Sequence, residues 1–366
     1  MCSLEGQLAK SRAQIIARSC AAMRCGLLLL FVLAWLGCRD DVVPAARAEQ
    51  SARVVALGRM VFFDRALSAD GRVSCATCHR PDHAFSDGLV RAVGAGGQEG
   101  TRNTPSLLDV ARQRSLFWDG RRGRLEDQVL DPLLNPVEHG LADEAQLLAR
   151  VRVDPRYAAA VRAAYSAAVE QVTVAQLGTA VAAFERTLVS GRSPFDRFLA
   201  GQRDAIPEAA RMGWVVFDQV AHCTACHVLA SAGGEPPLLT DHQFHTVTVG
   251  LRRIERKLPE LTQRLVRLRG ADGAPGRGVL NDPDVAELGR FAVTLDPHDL
   301  AAFKTPSLRN VALTAPYMHD GSVATLAAAV ELEVYGRGAH DRPMILTPAE
   351  RDAVVAFLAA LTSDGT

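Results

Sequence analysis

Two five-residue stretches, Cys75-Ala76-Thr77-Cys78-His79 and Cys223-Thr224-Ala225-Cys226-His227, decide how this chain is expected to fold. Both have the pattern C-x-x-C-H, which attaches haem of the c type. In such a site the two thiols bond to the porphyrin, and the histidine beside them supplies an axial nitrogen to the iron. The sequence therefore predicts two covalently bound haem c groups, one at each motif.

A C-x-x-C pair also occurs in redox-active dithiols and in zinc sites, and two pairs together could form a four-cysteine zinc site. Neither alternative requires a histidine directly after both pairs. The other four of the eight cysteines all lie in the first 38 residues, at Cys2, Cys20, Cys25 and Cys38. Every later cysteine belongs to a C-x-x-C-H motif, which favours haem.

The N-terminus has the features of an export signal. An uninterrupted apolar run at 26–37 follows Arg24 and is too short to span a bilayer comfortably. We expect residues 1–38 to be a signal peptide of lipoprotein type, with Met1 or Met23 as the start and Cys38 as the lipidated residue. An ordinary secretory signal cut near Ala46 is the alternative. Either signal predicts a periplasmic protein whose membrane contact is limited to a lipid anchor.

The composition narrows the class of protein further. The formal net charge is zero, so nothing suggests binding to nucleic acid or to a strongly charged partner. Aromatic residues make up only 5% of the chain, which is little for cores of this size. Two buried porphyrins would supply the missing planar apolar surface.

The chain after a linker at 39–50 consists of predicted helices separated by loops rich in glycine and proline. Apolar residues recur with helical spacing at 141–151, 172–188 and 347–361. In the last segment Thr347 suits the N-cap, Pro348 the first helical position and Glu350 the capping-box position. No run of alternating strands is evident, so we predict an all-α fold.

An internal repeat divides the chain in two. Thr104-Pro105-Ser106-Leu107 after the first motif corresponds to Thr305-Pro306-Ser307-Leu308 after the second. An Asp-Gly pair and a leucine follow each copy at identical spacing. We therefore predict two cytochrome c-like domains, 51–200 and 201–366, each with one haem. The second carries an insertion of roughly fifty residues, whose basic stretch at 252–280 is either a solvated helix or a docking patch for an acidic partner.

The longest recognisable segment is Phe303-Lys304-Thr305-Pro306-Ser307-Leu308-Arg309-Asn310-Val311-Ala312-Leu313-Thr314-Ala315-Pro316-Tyr317-Met318-His319-Asp320-Gly321-Ser322. It resembles the signature of bacterial di-haem cytochrome c peroxidases and their MauG-type relatives. Further matches are Arg102–Leu107, Phe117–Arg121, Leu125-Glu126, Asn135–Glu138, Asp241–His245 and Gly289–Phe291. The resemblance runs from about Ala56 to Leu361.

The resemblance implies a division of labour between the two haems. The haem at His227 would accept electrons, and the haem at His79 would meet hydrogen peroxide. The family uses a glutamate beside the iron that meets peroxide, here the iron at His79, for the proton transfers. We expect Glu126 to be this catalytic residue.

The chain departs from the family pattern at three places. The loop 93–100 lacks the histidine that can cap the N-terminal iron, so this iron is expected to be open, as in MauG-type members. Leu116 replaces the glutamine that often stands ten residues before the catalytic glutamate, with Gln113 as the nearest substitute. His139 stands where methionine is usual.

The resemblance also implies a sixth ligand for the C-terminal haem and a calcium site. Peroxidases use methionine as this ligand and MauG-type enzymes use tyrosine, which stabilises ferric and higher states. We predict Tyr335, although an ungapped match selects Glu333, and Met344 is a third candidate. Calcium would bind Asn103 and the carbonyl oxygens of Thr314 and Pro316, since hard cations prefer oxygen ligands.

The function that these features predict is reduction of hydrogen peroxide to water. The electrons would come from a small donor protein, a cytochrome c or a cupredoxin. One alternative is MauG-like oxidation of residues on a partner protein through high-valent iron. Another is a di-haem electron-transfer cytochrome without peroxidase turnover, which Leu116 favours. The sequence leaves a homodimer open.

Overall fold

The computed structural model describes residues 42–230, 234–269, 281–337 and 344–364. The predicted signal at 1–38, with Met1, Met23 and Cys38, lies outside these residues. Among the helices of the described part, none combines the length and the apolar character that a membrane crossing requires. The predicted linker is helical from Val42 onwards, because its alanine, arginine and glutamate residues favour helices.

The first half of the chain is helical and surrounds an apolar core. Leu57, Leu147 and Tyr157 are among its fully buried members. The α-helices in the described residues of this half are α1 Val42–Phe63, α2 Cys75–Cys78, α3 Leu125–Gln128, α4 Leu130–Leu133, α5 Glu144–Val153, α6 Pro155–Tyr165 and α7 Val174–Glu185. The helix α2 contains the first haem motif.

The second half combines helices with a two-stranded antiparallel sheet, in which Phe244 pairs with Lys304. Its elements within the described residues are α8 Pro194–Leu199, α9 Glu208–Val215, β1 Phe244–Thr246, α10 Leu251–Ile254, α11 Leu258–Leu268, α12 Pro283–Ala286, α13 Phe291–Thr294, β2 Ala302–Lys304, α14 Leu326–Arg337 and α15 Pro348–Ala359. The prediction of an all-α fold therefore needs a correction, since strands of three residues are too short to show an alternating pattern.

The three predicted helices are confirmed with small shifts at their ends. They correspond to α5, α7 and α15. In α15 the Glu350 amide donates to Thr347 Oγ1 at 3.3 Å, and the Thr347 amide donates to Glu350 Oε2 at 2.8 Å. The predicted capping box is thus present.

A buried arginine joins the two halves of the chain. The side chain of Arg309 is 2% exposed and lies 3.0 Å from a carboxylate oxygen of Asp196 and 3.6 Å from one of Asp109. It also donates to the carbonyl oxygen of Gly191 at 2.6 Å. Because a charge in such surroundings needs a partner, this contact fixes the segment after the second Thr-Pro-Ser repeat against the first half.

Candidate functional site

Both C-x-x-C-H motifs border one cavity of about 680 Å³. Their four cysteines are half-buried and form no disulfide. Among the described residues the four sulfur atoms do not converge into a metal-binding cluster. Burial raises the pKa of the Cys78 thiol to about 12, whereas the reactive thiol of a redox dithiol has a lowered pKa. The arrangement argues against the zinc and dithiol alternatives and fits thioether bonds to two porphyrins.

The histidines of both motifs are oriented by backbone carbonyl groups. His79 Nδ1 donates to the carbonyl oxygen of Phe85 at 3.0 Å, and His227 Nδ1 donates to that of Leu239 at 2.8 Å. A proton on Nδ1 leaves the lone pair on Nε2, which is the arrangement that an axial ligand of haem iron requires. Both rings border the cavity. Each motif therefore presents the ligand set of a haem c site.

The Thr-Pro-Ser repeat explains how these carbonyl groups are held. Ser106 Oγ donates to the carbonyl oxygen of Ala84 at 2.5 Å, and Ser307 Oγ donates to that of Leu238 at 2.7 Å. In both halves the next residue along the chain supplies the carbonyl that binds the histidine. In each half, the repeated serine thus holds the segment whose carbonyl oxygen accepts a hydrogen bond from the histidine of the motif.

The wall of the cavity near the first motif carries polar side chains. Gln128, Glu138, His139 and Glu185 all border the cavity. Burial raises the pKa of Glu138, although Arg121 and a 2.6 Å hydrogen bond from Asn135 oppose the shift. His139 Nε2 lies 3.9 Å from the sulfur of Cys75, and burial lowers the pKa of this histidine to about 4. Neutral His139 and a carboxyl group that holds its proton more tightly than usual thus lie beside the first haem site.

The predicted catalytic residue Glu126 lies outside the wall of this cavity. Its carboxylate accepts a 2.7 Å hydrogen bond from Arg186, and its side chain is 20% exposed. Burial acts to raise the pKa of Glu126, but its own backbone amide and Arg186 lower it below the ordinary value. The structure therefore places Glu126 in an ion pair near the surface.

A spacing signal for a different glutamate was present in the sequence. The resemblance calls for a glutamine ten residues before the catalytic glutamate, and Leu116 does not meet this requirement for Glu126. Gln128 meets it for Glu138, and both residues border the cavity. The motif Asn135–Glu138 therefore offers a second candidate for the catalytic glutamate, and this candidate borders the cavity whereas Glu126 does not.

The sixth-ligand candidates of the C-terminal haem lie on different faces. Leu326, Val330 and Glu333 recur at helical spacing along α14 and border the cavity. Tyr335 is 62% exposed and does not border the cavity, because it lies on another face of the same helix. Met344 borders the cavity and packs against the apolar core of the second half.

The predicted calcium ligands all belong to the wall of the cavity. Asn103, Thr314 and Pro316 all border it. The backbone amide of Asn103 donates to the carbonyl oxygen of His319 at 2.9 Å, which holds the two segments together. The side-chain amide nitrogen of Asn103 donates to the carbonyl oxygen of Leu89 at 2.9 Å. This contact leaves Oδ1 as the side-chain oxygen for a cation.

Gln113, the nearest substitute for the missing glutamine, and the loop 93–100 both border the cavity. Gln113 borders the cavity, but its side-chain oxygen lies 3.4 Å from Lys304 Nζ and accepts from it. The loop 93–100 reaches the cavity through Gly94 and Gly100, and it contains no histidine. Gln113 and the loop 93–100 therefore offer no histidine that could bind the iron of the haem at His79.

Comparisons with known proteins agree with this site. Residues 52–204 match the family of di-haem cytochrome c peroxidases. The chain is 35% identical to the methylamine utilization protein MauG of Methylorubrum extorquens, over 89% of this chain and 83% of that protein. It is 30% identical to the cytochrome c peroxidase Ccp of Escherichia coli strain K12, over 90% of this chain and 66% of that protein.

Two solved structures share the fold. A MauG-like protein associated with microbial copper homeostasis superposes with a TM-score of 0.67 at 31% identity, over 85% of this chain and 90% of that one. The diheme peroxidase BthA of Burkholderia thailandensis E264 superposes with a TM-score of 0.65 at 26% identity, over 85% and 86% of the two chains. This protein is therefore an oxidoreductase and belongs to the di-haem cytochrome c peroxidase family, which includes MauG.

Proposed function

We propose that this protein reduces hydrogen peroxide to water at the haem of His79, with electrons that a small redox protein delivers through the haem of His227. The bound irons would supply a site for peroxide and the storage of electrons. The observation that carries the proposal is the contrast between the two ends of one cavity. The end at His79 has Gln128, Glu138 and His139 in its wall, whereas Val330 and Leu358 belong to the wall near His227.

This contrast suits two different tasks. Cleavage of an O–O bond needs a proton acceptor and a proton donor within hydrogen-bond reach. Glu138 borders the cavity near the first motif and can serve both purposes, whereas Glu333, in the wall of the second half, is a candidate ligand of the other haem. Passing on an electron needs no proton-transfer group, and Val330, Val334 and Leu358 give the wall of the second half an apolar surface. The structure therefore supports peroxide chemistry at the first motif and electron entry at the second.

We propose Glu138, in place of Glu126, as the acid–base residue. Its carboxyl group would take the proton from the oxygen of peroxide that approaches the iron and return it to the leaving oxygen. Burial raises the pKa of Glu138 towards the working pH, which favours a group that must both accept and donate a proton. The side-chain amide of Gln128 would orient the peroxide by hydrogen bonding.

The test is steady-state oxidation of a reduced small cytochrome by peroxide, with the holoenzyme and matched variants. We expect Glu138→Gln to lower kcat about 100-fold or more, as loss of general acid–base catalysis does. The surface variant Glu170→Gln serves as the control and should retain the activity of the wild type, whereas Glu126→Gln tests the competing assignment and should lose much less activity than Glu138→Gln. Loss of turnover in Glu126→Gln with normal turnover in Glu138→Gln would restore Glu126 as the catalytic residue.

We propose Met344 as the sixth ligand of the C-terminal haem. Its thioether borders the cavity within apolar surroundings, while Tyr335 is exposed. Met344→Leu should convert the spectrum of this haem from low spin to high spin. An unchanged spectrum in Met344→Leu and a changed one in Glu333→Gln would assign the ligand to Glu333 instead.

The calcium site and the location of the protein follow as part of the same proposal. Asn103 Oδ1 and the carbonyl oxygens of Thr314 and Pro316 would hold Ca²⁺. Covalent haem attachment and the apolar run at 26–37 support export to the periplasm, with Cys38 as the lipidated residue.

A second candidate function is MauG-like oxidation of side chains on a partner protein. The histidine-free loop 93–100 beside the cavity and the 35% identity to MauG favour it. Peroxide turnover with a reduced cytochrome separates the candidates, because a MauG-like enzyme would be a poor catalyst of that reaction. A protein that shows neither activity would be an electron-transfer cytochrome.

A further inference from the structure

A second buried carboxyl group borders the cavity near the first motif and has no role in the mechanism above. Glu185 ends α7, and both it and Val181, one helical turn earlier, belong to the cavity wall. The residue is 4% exposed. Its Oε2 atom has no hydrogen-bond partner in the described part of the chain. A buried polar atom without a partner is costly and calls for an explanation.

The same end of α7 also reaches the surface of the protein. The next residue, Arg186, is about half exposed and forms the 2.7 Å ion pair with Glu126. The helix α3, which carries Glu126, packs closely on α7, since a Cβ atom added to Gly178 would lie 2.9 Å from the carbonyl oxygen of Glu126. Gly178 and Glu185 are seven residues apart and so share one face of α7. Glu185 therefore lies between a surface ion pair and the cavity.

The charged and titratable groups around Glu185 favour its neutral form. Burial raises its pKa to about 8, the charge of Arg186 opposes this shift, and that of Glu126 adds to it. On the cavity side, the Cys75 thiol interacts with Glu185, since its own pKa is raised by burial and by the charge of Glu185. This thiol would be bonded to haem. At neutral pH the Glu185 carboxyl group thus carries a proton.

The reaction needs such a group, because it consumes protons. Each peroxide takes up two electrons and two protons and breaks its O–O bond to give two molecules of water. Glu138 can move a proton from one oxygen to the other, but it cannot supply the two that are consumed. These protons must come from solvent and reach the cavity.

We propose that Glu185 delivers protons to the peroxide site, taking them from solvent at the Glu126–Arg186 ion pair and releasing them into the cavity. This inference rests on the proposed peroxidase function. It also gives Glu126 a part in proton uptake outside the cavity. Glu185 is a delivery residue, since Glu138 remains the group that contacts the substrate.

The test compares the wild-type holoenzyme with Glu185→Gln, Glu185→Asp and the surface control Glu170→Gln. Wild-type kcat should be constant below pH 8 and fall above it, as Glu185 loses its proton. Glu185→Gln should lower kcat roughly 10-fold to 100-fold, remove this fall above pH 8, and leave KM unchanged. Glu185→Asp should restore part of the rate, and Glu170→Gln should behave as wild type.

Infrared difference spectroscopy provides a readout that does not depend on turnover. The wild type should show the carbonyl band of a protonated carboxyl group at neutral pH, which disappears at high pH and is absent from Glu185→Gln. The inference alone would be overturned if the wild type turns over peroxide and Glu185→Gln has the same rate and pH profile. Absence of the carbonyl band from the wild type would also overturn it. Absence of turnover in the wild type would overturn the proposed function and the inference together.

Discussion

Glu126, Glu138 and Glu185 belong to the same half of the chain, but their surroundings give them different proton affinities. Glu126 is held ionised by Arg186 near the surface, whereas burial keeps protons on the other two more tightly. This difference depends on position, since Glu126 is paired with Arg186 near the surface while Glu138 and Glu185 border the cavity. It supports the separate roles in proton uptake, acid–base chemistry and proton delivery that we propose for these residues.

His139 provides a test of burial at this site through the pH dependence of stability. Its pKa is lowered from 6.5 to about 4, so below pH 6.5 the unfolded chain binds a proton that the native protein does not. The free energy of unfolding should therefore fall as the pH decreases from 6.5 to 4, with a share from His139 of about 3 kcal/mol.

The measurement is urea unfolding of the wild type and of His139→Leu at pH 7 and at pH 4. The variant should lose less stability between the two pH values than the wild type. Equal losses in the two proteins would show that His139 is accessible to protons in the native state.

In each half, the serine of the Thr-Pro-Ser repeat holds the residue that precedes the carbonyl group bound by the histidine of the motif. Ser307 acts on the site of His227, and Ser106 acts on the site of His79. The hydrogen bond from the histidine to its carbonyl oxygen fixes the orientation of the ring and raises the basicity of the ligand, and each serine holds the neighbouring residue in place. Each serine should therefore tune only its own haem.

Ser307→Ala should raise the reduction potential of the C-terminal haem, because a less basic imidazole stabilises ferric iron less well. Turnover should fall by about 10-fold. Redox titration followed at each haem provides the measurement, with Ser106→Ala as the matched variant that shifts only the N-terminal haem. A shift of both potentials by either variant would contradict this account.

Short sequence patterns predicted some secondary-structure elements correctly and missed others. The capping box of α15 was evident because Thr347, Pro348 and Glu350 are adjacent in the sequence. The strands β1 and β2 were missed because each has three residues and forms only through pairing with a segment more than fifty residues away. Short motifs predict Tyr335 and Glu126 as site residues, but a motif does not indicate which side chains border the cavity, and these two do not.

At the scale of the whole molecule, one cavity links two haem sites and the buried Arg309 holds the halves together. Arg309 compensates the charges of Asp196 and Asp109, which come from different halves of the chain. Removing one partner of a buried ion pair leaves an uncompensated charge. The relative placement of the two sites should therefore depend on this residue.

Arg309→Met should lower the free energy of unfolding by about 3–5 kcal/mol. Arg197→Gln, which breaks the more exposed pair with Asp364, should cost at most about 1 kcal/mol. Denaturant unfolding of the holoproteins measures both values. Similar small losses in the two variants would show that the Arg309 pair contributes little to stability.

The central claim is that two identical motifs hold haems of different kinds, one open to peroxide and one with a sixth ligand. Electron paramagnetic resonance of the ferric holoenzyme tests it most directly. We expect one high-spin signal from the haem of His79 and one low-spin signal from the haem of His227, with added azide converting only the high-spin signal. Two low-spin signals before azide is added would contradict the account, because neither iron would then be open to peroxide.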